Sequence, residues 1–147
     1  DMPPGTGDIQ LTLAQRVPLA GAVIVTTPQD VALLDASKGI EMFRRVEVPV
    51  LGIVENMSIH VCSNCGHKEH IFGSDGGARI SQTYQTQLLG QLPLHLDLRQ
   101  ASDKGHPLVH FAPRSEVSRR FQEMAEKIVE ELENQNHSSP SINVFDD

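Results

Sequence analysis

The chain has 147 residues, the size of one ordinary domain, and its 39% hydrophobic and 21% charged content is enough to exclude wholesale disorder. Lys and Arg number 12 against 19 Asp and Glu, a formal net charge of −7, which argues against nucleic-acid and anionic-membrane partners because both need clustered positive charge. No apolar run approaches the roughly 18–20 residues of a membrane-spanning helix, and two cysteines three positions apart fit a metal or redox pair in a reducing cytosol, so a cytoplasmic location is expected.

The first eight residues, Asp1-Met2-Pro3-Pro4-Gly5-Thr6-Gly7-Asp8, form a dense turn sequence, which reads as a specialised loop within the C-terminal portion of something longer. A short helix is expected over Ile9 to Val17, capped by Asp8 and ended by Pro18. Ala20 to Thr27 is a continuous β-branched run, predicting a strand buried on both faces. Asp30 to Arg45 has helical spacing, with Val31, Leu34, Ile40 and Phe43 expected inward. Val48 to Val54 reads as a second buried strand, Ser58 to Phe72 as a cysteine-bearing loop, Gly76 to Tyr84 as a helix and Leu88 to Leu92 as a third strand. The last helix is marked by Val117, Phe121, Met124, Ala125, Ile128, Val129 and Leu132. Alternating buried strands and helices predict an α/β fold, doubly wound, with a mostly parallel sheet and flanking helices. The domain is expected over residues 1–133, with the cysteine loop at 58–72 and a disordered polar tail at 134–147.

Ligands of open α/β sheets sit beyond the carboxyl ends of the strands. At such a place Asp1 suits Mg²⁺, directly or through water, and Gly5 and Gly7 allow backbone to approach a γ-phosphate. Asp8 suits the orientation of an attacking water or, alternatively, the capping of the helix; the whole segment also fits a plain Pro-Gly turn. The segments Asp1 to Leu13, Gly21 to Gln29, Asp35 to Phe43, Gly52 to Ser58, the cysteine loop and Leu89 to Leu94 together resemble the Mrp/ApbC-type P-loop ATPases, iron–sulfur cluster carriers related to the nitrogenase iron protein and to MinD.

That resemblance implies a doubly wound fold that dimerises around ATP, with Asp1 as the Mg²⁺-associated Asp and Gly5 as the γ-phosphate-sensing Gly. Asp8 closes the same switch motif and is the catalytic candidate. Asn56 matches the adenine-contacting Asn, and Pro93 sits where backbone usually lines the base. One departure stands out. The Gly-rich, Lys-containing phosphate loop has no counterpart in these residues, and Gly73-Ser74-Asp75-Gly76-Gly77 lacks the Lys-Ser/Thr ending. The intact protein is therefore expected to hydrolyse ATP and this segment alone is not.

Cys62-Ser63-Asn64-Cys65-Gly66-His67 is a metal-binding knuckle by its chemistry, since two thiolates separated by two residues can chelate one centre. His67 and His70, or His60 in place of one of them, would complete a mononuclear zinc site; a second chain could instead contribute its own cysteine pair. The resemblance implies the latter, a [4Fe–4S] cluster bridging a homodimer through Cys62 and Cys65, with cluster donors and apo iron–sulfur clients as partners. The competing readings are a MinD/ParA-like positioning ATPase and a zinc-stabilised structural module. The first wants a basic amphipathic C-terminal helix, and the glutamates at 123, 126, 130, 131 and 133 have the wrong sign for it.

Overall fold

The computed structural model describes residues 7–137, so Asp1, Gly5 and the segment 138–147 lie outside the described residues. Two layers of helices enclose a parallel sheet. In chain order the elements are α1 (Asp8–Arg16), β1 (Ala22–Thr26), α2 (Asp30–Arg45), β2 (Val50–Glu55), β3 (His60–Val61), β4 (Lys68–Glu69), α3 (Gly76–Tyr84), β5 (Leu88–Gln91), α4 (Leu96–Asp103), α5 (Leu108–Phe111) and α6 (Glu116–His137). The sheet order is β1-β2-β5 with both pairings parallel. Its last register row is Thr26, Glu55 and Gln91, so the three carboxyl ends lie side by side.

Burial explains the central strand. Five of the six β2 residues are buried, as its continuous apolar run requires when both faces are covered. On one face α2 and α3 pack Ala36, Ile40, Phe43 and Ile80 against Ile24 and Ile53. On the other, α6 sets Met124 against Val54, Leu89 and Leu92. The α6 side chains also satisfy the outer edge of β5: Lys127 Nζ donates to the Leu89 carbonyl at 2.8 Å and Arg120 Nη1 to the Gln91 carbonyl at 3.0 Å. Charged groups thus occupy backbone acceptors that an open edge would offer to another strand.

Several expectations need correction. Asp8 is the first helical residue of α1, and the N-cap position belongs to Gly7, so Asp8 does not cap the helix. Val25 is 63% exposed, because it points to the face opposite Ile24, and α6 on that face packs over β5 and β2 and leaves the outer part of β1 uncovered. Val31 and Leu34 point outward; α2 buries the stripe through Ala36, Ile40 and Phe43, and those two lie off it. Val129 is likewise on the solvent side of α6, whose buried face runs through Val117 and Met124; Phe121 lies on that same face but stays 36% exposed, lining an open cleft with Leu98 and Leu108. Two short helices, α4 and α5, occupy the stretch between Pro93 and Val117, where no element is expected from the sequence; neither buries a residue fully, so neither leaves an apolar stripe. Finally, α6 continues through His137, so residues 134–137 of the expected tail are helical.

Candidate thiolate and nucleotide site

Asn56 follows directly on the carboxyl end of β2, half-buried. Its Oδ1 accepts the N–H of Met57 at 2.9 Å, and Met57 adopts a left-handed backbone (φ 55°). Asn56 therefore shapes the strand-to-loop turn through its side-chain oxygen. Pro93 is buried beyond the neighbouring end of β5 and lines a cleft of about 230 Å³ together with Val61, Lys68 and Arg120. Asn56 and Pro93 are thus brought to the same end of the sheet, where ligands of this architecture bind. Asp8 is exposed at the start of α1, where its charge suits the positive end of the helix.

The cysteine loop is an ordered hairpin. β3 and β4 pair antiparallel, His60 with Glu69 and Val61 with Lys68. Between them the chain turns tightly: the N–H of Cys62 donates to the His67 carbonyl at 2.9 Å and the N–H of Gly66 to the Cys62 carbonyl at 2.9 Å. Gly66 has φ 71°, a conformation that a side chain would strain, which is why glycine stands directly after Cys65. Cys62 is half-buried and Cys65 exposed, and both are free thiols. The backbone N–H of Cys65 above all, then that of Asn64 and the Cys65 thiol, hold the Cys62 thiol below its ordinary range. A turn that stabilises thiolate prepares the sulfur for a soft metal.

The histidines do not join the cysteines. Among the described residues no group of three or more His, Cys, Asp or Glu side chains is placed to hold a metal ion. His70 turns back instead, with Nδ1 2.9 Å from the Ser58 carbonyl. Among the described residues the histidines at 60, 67 and 70 are thus not gathered with Cys62 and Cys65 into one cluster. The donor set present, two sulfurs on one surface turn, fits half of a thiolate-ligated centre.

One feature at this end of the sheet leaves no local mark in the sequence. Glu55 is 1% exposed and hydrogen-bonded through both carboxylate oxygens, to Gly77 and Gln91. It directly follows an apolar run and looks like a solvated strand end; Gly77, which packs beside it, is its only trace, and the Gly76-Gly77 pair is not a phosphate loop because Glu55 already occupies the Gly77 N–H.

No described helix is long and apolar enough to cross a membrane. The profile of the ParA-type family described as NUBPL iron-transfer P-loop NTPase matches residues 1–129. An iron-sulfur cluster carrier protein of Escherichia coli K12 is 61% identical over 132 residues, covering 90% of this chain and 36% of the relative. The iron-sulfur cluster transfer protein NUBPL of Mus musculus is 54% identical over 132 residues, covering 90% and 41%. The chain spans about two fifths of the length of these relatives. Among solved structures, a nucleotide-binding protein of Archaeoglobus fulgidus in complex with ADP superposes with a TM-score of 0.62 at 39% identity, over 71% of this chain and 43% of that one. The cell division ATPase MinD of Pyrococcus furiosus superposes at 0.59 with 22% identity, over 76% and 43%, and shows the shared fold alone. With alternating parallel strands, a turn that presents two thiols and a family profile over most of its length, the chain belongs to the NUBPL iron-transfer P-loop NTPases.

Proposed function

We propose that this chain supplies the thiolate half-site of an iron–sulfur cluster carrier. Cys62 and Cys65 of two copies hold a [4Fe–4S] cluster across a two-fold axis and pass it to apoproteins. The cluster is cargo, and ATP with Mg²⁺ acts as the conformational lever through the switch segment that contains Asp1, Gly5 and Asp8. Asn56 and Pro93 receive the adenine. The observation that carries the reading is the accessible, thiolate-stabilising Cys62–Cys65 turn with no third ligand among the described residues of its own chain. A reducing compartment such as the cytosol keeps such a pair reduced.

Exposure suits transfer. A cluster held by four thiolates at a surface between two chains can be reached by an acceptor's cysteines, whose thiolates would replace Cys62 and Cys65 as ligands to iron without opening either core. Hydrolysis belongs to a longer chain that adds a phosphate loop; the 147 residues alone are expected to show no ATPase activity above background. The deciding experiment is anaerobic reconstitution with iron and sulfide, read by Mössbauer and visible spectra together with subunit mass. About four irons per two chains in a dimer that reverts to monomer on cluster loss is the expected result. A monomer holding a single zinc would refute it.

A further inference from the structure

Glu55 is the one charged side chain that is buried among the described residues, at 1% exposure. Its two oxygens serve different elements. Oε2 accepts the backbone N–H of Gly77 in the first turn of α3 at 2.5 Å, and Oε1 accepts Gln91 Nε2 at the end of β5 at 2.7 Å. Asp75, at the N-cap of α3, makes no side-chain capping bond, so Glu55 is the anion at that helix start. The Glu55 carbonyl in turn accepts the N–H of Leu92 at 2.8 Å.

These partners delimit the cysteine loop. The loop leaves β2 just after Glu55 and re-enters the core at Gly76–Gly77. Between those points its outgoing arm pairs with the segment that follows Gln91: Ser58 N–H donates to Leu92 at 3.0 Å, Leu94 N–H to Ile59 at 2.8 Å and Val61 N–H to Leu94 at 3.4 Å. One carboxylate therefore ties together the loop's departure, its return and its lateral support. Gln91 extends the connection, because its carbonyl accepts from Arg120 of α6. A buried charge is costly to keep, and a network with every oxygen satisfied fixes one arrangement where an apolar residue would allow several.

We propose that Glu55 is a positioning residue for the cysteine loop, setting the spacing of the loop's two ends and hence the presentation of Cys62 and Cys65. The proposal rests on the reading of those cysteines as the cluster-binding pair; Glu55 itself touches neither sulfur nor cluster.

The test uses Glu55→Ala, Glu55→Gln and Gln91→Ala, followed by amide hydrogen exchange on the cluster-free chain and by iron uptake after reconstitution. In Glu55→Ala the amides of Cys62, Gly66 and Leu94 are expected to exchange at least about tenfold faster while Ile53, in the core strand, keeps its protection. Iron uptake falls with loop protection. Glu55→Gln can accept from Gly77 and donate to a turned Gln91 amide, so it should restore loop protection to within about threefold of the original. Gln91→Ala removes one arm of the clamp and gives an intermediate response, which decides the matter if Glu55→Ala does not fold. Loop amides that stay protected in a folded Glu55→Ala, or in Gln91→Ala where Glu55→Ala does not fold, or loop and core amides that accelerate together, overturn the proposal. The exchange readout needs no cluster: an unaltered chain that takes up no iron sinks the carrier reading, while its loop amides still report on Glu55.

Discussion

Gly77 and Glu55 are packed so closely that a Cβ on Gly77 would lie 2.9 Å from the Glu55 Cβ and 3.2 Å from its Oε2. The helix start is drawn onto the carboxylate, and glycine is what permits it. Gly77→Ala is therefore expected to destabilise the fold by about 1–3 kcal/mol in urea unfolding, despite the better helix propensity of alanine. Gly39 provides the control. It lies inside α2, where an added Cβ would meet nothing within 4 Å, so Gly39→Ala should stabilise by roughly 0.5–1 kcal/mol. Equal effects of the two substitutions would contradict the close approach at Gly77.

Either Cys62→Ala or Cys65→Ala should abolish iron uptake, since each removes two of the four thiolates of a bridged centre. Far-UV circular dichroism should not change, because neither side chain belongs to the core. His67→Ala and His70→Ala should keep a full iron complement. Histidine variants as damaging as the cysteine ones would restore the intrachain metal site.

Cys62 should alkylate with a pH midpoint below that of an ordinary thiol. The sign follows from its neighbours: the N–H groups of Cys65 and Asn64 stabilise the thiolate, so more of the nucleophile is present at neutral pH. Rates fall as pH drops through the lowered value. Peptide mapping after iodoacetamide pulses between about pH 6 and 10 reads the midpoint, and urea-unfolded chain should return it to the ordinary range.

Core and surface positions of α2 should part sharply. Ile40 is fully buried, and Ile40→Ala is expected to cost about 2–5 kcal/mol. Val31, 76% exposed on the outer side of the same helix, should tolerate alanine within about 0.5 kcal/mol. Urea unfolding of both variants checks the contrast, and a large loss at Val31 would mean that its face is covered in solution.

In a longer chain that carries a phosphate loop, Asp8→Asn should impair hydrolysis by about 10²-fold or more with nucleotide affinity nearly unchanged, as expected of a group that acts on water. Asp8 is exposed at the first position of α1 and does not cap the helix, so little stability should be lost. Equal collapse of binding and hydrolysis would assign Asp8 to nucleotide binding instead.

The sequence by itself determined the architecture and the chemistry that is local. A strand covered on both faces carries a near-continuous apolar run, so β2 announces itself as far as Val54, and the helical spacing of Asp30 to Arg45 coincides with α2 end to end. The Cys62–Cys65 spacing and the glycine after it are likewise a short-range signal, because the turn that presents the two sulfurs is built from consecutive residues. Only the tertiary structure decided which stripe of α2 and α6 faces the sheet, since each helix carries more apolar positions than one face can bury. It alone placed Glu55, whose partners lie 22 and 36 residues away. A carboxylate at a strand end reads as solvated until the chain returns to cover it, and that return is a property of packing across the sheet.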